Sequence, residues 1–286
     1  MGKLTGYLRL MRPINCFMMG LAVIVGATLA DLSGITTVWM TLVYGFITGF
    51  TLTGASMAIN DYYDREIDAI NEPKRPIPSR LVNPREAMGF ALILTTIGFV
   101  AAYLTNAAYP LCFATAVIAW MVFVTYTTVG KRSGLPGNFL VSICVSIPFV
   151  YGSIAIANEV KLNVLLFASM AFLSDTGREV TKGIVDVGGD KTQNVKTLAV
   201  RFGDARAAVA ASIFYLAAVS LSPIPWFLGL VSIWFIPFVA ATDVGLVVSS
   251  FMLLRDHSRE KARKIKNIVL LWFVFGLLAF IAGAIR

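Results

Sequence analysis

Long apolar runs separated by short polar connections dominate the pattern of this chain. Nine such runs can be read: Ile14–Ala30, Val38–Ile59, Ala87–Thr105, Leu111–Thr128, Leu135–Ala157, Leu162–Ser174, Ala205–Leu221, about Ser232–Leu254 and Ile265–Ile285. A helix needs roughly 20 predominantly apolar residues to cross the hydrocarbon core, and most of these runs reach that length. Pro223, Pro225 and Pro237 blur the seventh and eighth bounds, because proline breaks or kinks helices. Thr28-Leu29-Ala30 ends the first run as a cleavable leader would. That run is long for a leader's core, however, and many spans follow it. The pattern therefore predicts an all-α polytopic membrane protein with nine transmembrane helices.

Composition sharpens this expectation. Hydrophobic residues make up 57% of the 286 residues and charged residues only 14%, against about 25% in soluble domains. The formal charge of +8 raises the question of nucleic acid, but its distribution points elsewhere. Lys and Arg gather at the N-terminus (Lys3, Arg9, Arg12) and in the connections Arg65–Arg85, Lys131-Arg132, Arg178–Arg206 and Arg255–Lys266. With nine spans, all of these fall on one side, and only Lys161 and Arg286 fall on the other. The positive-inside rule makes the basic side cytoplasmic, which predicts a cell-membrane protein with a cytoplasmic N-terminus. Cys16, Cys112 and Cys144 lie in apolar runs without CxxC spacing and read as packed helix residues. The single histidine, His257, excludes a histidine-cluster metal site.

The polar residues that do not fit a topology signal are acids. Asn60-Asp61-Tyr62-Tyr63-Asp64-Arg65-Glu66-Ile67-Asp68 closes the second run, and on a continuing helix Asp61, Asp64 and Asp68 share one face. Crowded carboxylates need a cation or basic neighbours to stay ionised. One reading is a solvated helix end. The other is a set of hard oxygen ligands suited to Mg²⁺, which the spacing favours in a chain with only 16 acids. After the sixth run, Asp175, Glu179, Lys182, Asp186 and Asp190 fall within about 80° of one another on a helical wheel. Gly188-Gly189 stands where the helix is expected to open. Runs two and six thus end alike on the same side. This predicts one transmembrane domain over 1–286, built of pseudo-repeat halves at about 1–130 and 131–260. Two four-helix halves plus a ninth helix would surround a central cavity and turn the acid segments toward each other.

Facing carboxylates would hold Mg²⁺, and the metal would hold a diphosphate. Basic groups for phosphate oxygens stand in the same loops: Arg65, Lys74, Arg75 and Arg80, then Lys131 and Arg132. Tyr126 can offer its hydroxyl. Such a site would stabilise charge on a departing diphosphate, while apolar helices shelter an isoprenoid chain and its cation from water.

The motif Asn60-Asp61-x-x-Asp64-x-x-x-Asp68 with Asp186-x-x-x-Asp190 resembles the paired aspartate motifs of the UbiA superfamily of intramembrane prenyltransferases. The similarity extends to Arg12-Pro13-x-Asn15, Asn71-x-Pro73-x-Arg75-Pro76-Ile77, Tyr126 with Lys131-Arg132, Arg178-Glu179-x-x-Lys182 and Lys196-Thr197-Leu198. It implies Mg²⁺-dependent transfer of a prenyl group from its diphosphate. Within the superfamily, segments 60–79 and 134–138 look like the archaeal branch that moves geranylgeranyl to the sn-2 hydroxyl of geranylgeranylglyceryl phosphate, an ether-lipid precursor.

The roles implied by the resemblance are these. Asp61, Asp64, Asp68, Asp186 and Asp190 bind metal, with Asp64, Asp68, Asp186 and Asp190 counted as catalytic. Asn60, Arg75, Tyr126, Lys131 and Lys182 meet the diphosphate, and Arg12 and Asn15 meet the acceptor. Gly183 departs from the pattern, standing where relatives are expected to carry an acid; Glu179 or Asp175 would then supplement Asp186 and Asp190. The expected partners are an isoprenyl diphosphate, a lipid-phosphate acceptor and membrane lipids, and not nucleic acid. Two other readings compete: an aromatic acceptor, as in quinone, haem O or chlorophyll pathways, and a cation-coupled transporter. A transporter would place acids near the midplane of broken helices, whereas these lie at span ends.

Overall fold

A computed structural model of the chain describes residues 2–33, 38–192 and 194–285. Among these residues there is no strand. The helices are α1 (Lys3–Met11), α2 (Pro13–Ala30), α3 (Trp39–Tyr63), α4 (Arg65–Asn71), α5 (Pro84–Thr105), α6 (Leu111–Thr128) and α7 (Leu135–Ala157). After these come α8 (Leu162–Thr192), α9 (Leu198–Phe202), α10 (Asp204–Leu221), α11 (Ile224–Phe227), α12 (Phe235–Arg255) and α13 (Arg259–Ala284). Among the described residues eight segments are long and apolar enough to cross a membrane: α2, α3, α5, α6, α7, α10 running on through α11, α12 and α13. Helix α8 covers the sixth run but continues without a break into the acid segment, so its second half is polar. The protein is therefore an integral membrane protein with an all-helical fold.

Two compact units divide the chain: residues 1–128 with 147–160, and residues 129–146 with 161–286. Helix α7 is shared out between them just before Pro148, its internal proline.

In the first unit α3 packs along α2 and α5. Helix α7 meets α2 through glycines, where a Cβ at Gly26 would strike the Phe149 carbonyl and one at Gly152 the Val23 carbonyl. Small residues at such a crossing let two backbones approach, a common way for membrane helices to associate. Tyr151 buries its ring there, and its hydroxyl hydrogen-bonds with Thr105 at 2.8 Å and Thr48 at 3.4 Å. Leu10, Ala58, Ile77, Val82, Ala87 and Ala91 form a further cluster, which clamps α1 and the loop after α4 against α3 and α5. Helix α5 begins with Asn83 and Glu86 in a capping box followed by Pro84, and Lys3 reaches Glu86 at 2.7 Å.

In the second unit α8 is surrounded by α10, α12 and α13 around Val180, Ile184, Tyr215, Leu246, Leu253, Ile265 and Val269. Arg259 Nε donates to the Val185 carbonyl at 2.9 Å, fixing the start of α13 beside the polar half of α8. The turn Gly130–Arg132 is held by the Lys196 amide, which donates to the Arg132 carbonyl at 3.2 Å.

Candidate active site

In the first unit the acid motif is not one continuous helix. Helix α3 ends at Tyr63 and α4 begins at Arg65, with Asp64 at the joint (φ −86°, ψ −1°). Main-chain bonding still runs through it, since the Asp64 amide donates to Asn60 and the Asp68 amide to Asp64. Asp61, Asp64 and Asp68 are all buried, at 2%, 9% and 5% exposure, so the solvated-helix-end reading is excluded. Asn60 Nδ2 donates to Asp64 Oδ2 at 3.0 Å.

Burying these charges requires counter-ions. Arg12 Nη2 lies 2.7 Å from Asp61 Oδ1. Arg75 Nη1 lies 2.6 Å from Asp68 Oδ2 and 3.4 Å from Asp61 Oδ1. Arg12 reaches Asp61 because the chain turns at that residue. Its backbone sits in the left-handed region (φ 53°, ψ 72°), ending α1, and Pro13 starts α2. A non-glycine residue held there stores strain and needs its surroundings to keep it in place. A cavity of about 180 Å³ opens beside these pairs, lined by Arg9, Arg12, Asp61, Glu72, Lys74, Arg75 and Pro76. Arg65 is used locally instead, its guanidinium 4.6 Å from the Tyr62 ring centre and 2.8 Å from the Tyr62 carbonyl. Asn15 is exposed on the first turn of α2 and is not among the residues lining the cavity. Tyr126 is half-buried near the end of α6. The Asn71 side chain lies outside the described residues.

In the second unit Asp186 and Asp190 are half-buried on the last turns of α8. Burial, and then the Asp186 carboxylate one turn away, push the Asp190 carboxyl up to about 6. Lys182, the Thr197 hydroxyl and Lys131 act against that rise, which brings both lysines into the same electrostatic neighbourhood. One expectation needs correction. Gly188 and Gly189 do not open the helix: α8 runs on to Thr192, and nothing lies within 4 Å of either Cβ position. Asp175 and Glu179, the expected supplements to Asp186 and Asp190, are paired with cations and hydroxyls. Asp175 accepts from Ser142 at 3.1 Å and lies 3.9 Å from Arg178, while Glu179 pairs with Arg178 at 3.4 Å and Lys182 at 3.1 Å. At Gly183 a Cβ would meet Thr197 at 3.4 Å, an ordinary contact, so the backbone there has room for a side chain's first atom.

Among the described residues no three acids converge as a ready-made metal cage. The donor set still suits Mg²⁺, which usually takes one or two carboxylates and completes its shell with water and substrate phosphate. Arg9 and Glu72 are cavity residues that the sequence reading passed over. Arg9 looked like a topology charge, and Glu72 follows the motif without matching it.

The fold and these sites define a polytopic helical membrane protein with an acid segment in each unit. Residues 19–278 match the UbiA prenyltransferase family. The chain belongs to that family and is a prenyltransferase. It is 37% identical over 279 residues to the digeranylgeranylglyceryl phosphate synthase of Archaeoglobus fulgidus, covering 96% of this chain and 94% of the relative. A solved structure concerned with digeranylgeranylglyceryl phosphate synthase superposes with a TM-score of 0.84 at 30% identity, over 99% of both chains. A UbiA homologue from Archaeoglobus fulgidus, solved with DMAPP and Mg²⁺, shares the fold at a TM-score of 0.71 and 18% identity, over 96% of this chain and 99% of the other. The resemblance read from the motifs is borne out, and the transporter reading loses its basis.

Proposed function

We propose that the protein transfers geranylgeranyl from geranylgeranyl diphosphate to the sn-2 hydroxyl of geranylgeranylglyceryl phosphate, with Mg²⁺ as cofactor. The observation that carries the acceptor assignment is the cavity beside Asp61, where four cations face two acids. An aromatic acid needs one carboxylate clamp; a phosphomonoester carries up to two charges and several acceptor oxygens, which a cluster of Arg and Lys matches. Similarity to digeranylgeranylglyceryl phosphate synthases along nearly the whole chain supports the same choice. The binding of DMAPP and Mg²⁺ by the fold relative from Archaeoglobus fulgidus supports the donor class and the metal.

In this reading Asp61, Asp64 and Asp68 of the first unit and Asp186 and Asp190 of the second are metal ligands, and bound metal would neutralise charge on the departing diphosphate. Asn60 orients Asp64 through its 3.0 Å hydrogen bond. Arg75, Lys131, Lys182 and Tyr126 bind and orient the diphosphate, and Arg12 and Asn15 the acceptor. The allylic C1–O bond breaks with its electron pair leaving on the diphosphate, and the acceptor oxygen then bonds to C1. The hydroxyl proton passes to a carboxylate, Asp68 or Asp190. The apolar helices exclude water from the cation. We further read the first half of α8 as a ninth span, the duplicated halves as one domain, and the N-terminus and acid segments as cytoplasmic at the cell membrane.

The test is turnover of labelled geranylgeranyl diphosphate with geranylgeranylglyceryl phosphate by purified protein, with and without Mg²⁺. A doubly alkylated lipid that forms only with metal is expected. Asp64→Ala and Asp186→Ala should abolish it while the protein stays folded in detergent. Normal turnover by either variant, or diphosphate release without that lipid, overturns the reading.

A further inference from the structure

Arg12 and Arg75, at the first unit's cavity, are each paired with acids. Arg12 holds Asp61, and Arg75 holds Asp68 and Asp61. In each pair the carboxylate is the buried partner: the Asp61 and Asp68 side chains are 3% and 8% exposed, against 35% and 32% for Arg12 and Arg75. The arginine is thus the member that can move. A buried carboxylate stripped of its cation is costly, so the guanidinium leaves readily only when another cation arrives. A hard divalent ion is such a replacement for carboxylate oxygens. The Arg12 backbone is fixed between α1 and α2, so a released side chain remains at the cavity wall next to Arg9 and Lys74. There its planar fork fits phosphate oxygens.

We propose that the Arg9–Arg12–Lys74 side of this cavity is a phosphomonoester subsite gated by the metal. Arg12 is the resident counter-ion of Asp61, and it exchanges that carboxylate for the acceptor's phosphate once a divalent cation occupies the acids. Metal and acceptor phosphate then bind with positive coupling, each tightening the other by the same factor. The inference rests on the prenyltransfer reading above and adds an order to it: the metal-bound donor prepares the acceptor site.

Calorimetry on the full chain in detergent tests this with sn-glycerol 1-phosphate as probe, with and without Mg²⁺. Mg²⁺ should tighten the probe by about five-fold or more. Asp61→Asn should bind the probe tightly without metal and lose the response. Glu86→Gln breaks a surface ion pair with Lys3 outside the cavity, and it should keep the response. Pairing of Mg²⁺ with phosphate in bulk solution is common to all variants and cancels. If Asp61→Asn does not survive purification, Arg12→Met replaces it, and there too the response must vanish. Equal probe affinity with and without Mg²⁺, in protein that still binds geranylgeranyl diphosphate with Mg²⁺, overturns the exchange. A Mg²⁺ response that persists in Asp61→Asn or Arg12→Met does the same. Failure of geranylgeranyl diphosphate to bind with Mg²⁺ overturns the prenyltransfer reading itself. Repeating the titration with geranylgeranylglyceryl phosphate and with inorganic phosphate separates a lipid head group from a free ion.

Discussion

Replacing Arg75 with Met removes the cation that serves two buried acids and keeps most of the side chain's apolar volume. Its Nη1 stands 2.6 Å from Asp68 and 3.4 Å from Asp61. At about 3 Å and an effective dielectric near 20, each contact is worth roughly 5 kcal/mol before desolvation is counted. Desolvation offsets much of that, and removing one partner of a fully buried pair costs about 3–5 kcal/mol net. Arg75 is 32% exposed and Arg12 still neutralises Asp61, so about 2–3 kcal/mol is the expected loss. For a chain of this size that corresponds to a fall of about 3–5 °C in the apparent unfolding midpoint. Membrane proteins do not unfold in two clean states, so only the shift between matched samples is used. The assay is thermal unfolding in detergent followed by tryptophan fluorescence, without metal and with saturating Mg²⁺. Without metal Arg75→Met should fall well below the wild type, and with Mg²⁺ most of the gap should close. Arg75→Lys keeps the charge and should sit between the two. A variant as stable as the wild type without metal, or a gap untouched by Mg²⁺, would refute the counter-ion account.

Two more predictions concern other parts of the molecule. Asp190 titrates near 6 because burial and Asp186 disfavour its anion, so the metal-binding form is lost as the pH falls through that value. Between pH 7.5 and 5.5 the ionised fraction drops about four-fold. The Mg²⁺ concentration for half-saturation should rise by about that factor, and a flat profile counts against Asp190 as a ligand. At the α2–α7 crossing, Gly152→Ala drives a methyl into the Val23 carbonyl and the Ala27 amide, at a cost of about 1–3 kcal/mol. Its apparent midpoint should drop by several degrees, and an unchanged midpoint would show that the helices separate there without penalty.

Element type was readable because membrane spans must satisfy their backbone internally, which leaves long apolar runs as an unmistakable mark. The runs from Val38, Ala87, Leu111 and Leu135 fall within a few residues of α3, α5, α6 and α7. The sixth run was harder. It is short and carries a polar extension on the same helix, and no residue in Ser174–Asp175 breaks it. Gly188-Gly189 misled for a related reason: glycine lowers helix propensity by about 1 kcal/mol each, too little to end a helix anchored by Arg259 on Val185. The acids were legible as chemistry, but their partners were not. Arg12 and Asp61 are 49 residues apart, and only the left-handed turn at Arg12 and the packing of α1 on α3 bring them together. A periodicity argument cannot see a contact of that kind.

The likeness between the two acid segments therefore goes less deep than their sequence placement suggests. In the second unit Asp175 and Glu179 are balanced from within α8 itself, by Arg178 and Lys182 at helical spacing. Such pairs form whenever the helix forms. Asp186 and Asp190 lie beyond them with less compensation, which is why Asp190 holds its proton so high. In the first unit the cations come from other elements, α1 and the loop after α4, and they touch the very acids that the motif singles out. Those acids are stable without metal, yet their counter-ions sit on separate, partly exposed side chains. A site of the second kind resists protonation poorly and gains from any cation. A site of the first kind gives up one cation for another and changes the wall of its cavity as it does so. Only in the first unit does one side chain, Arg12, belong to both the acid cluster and the cavity.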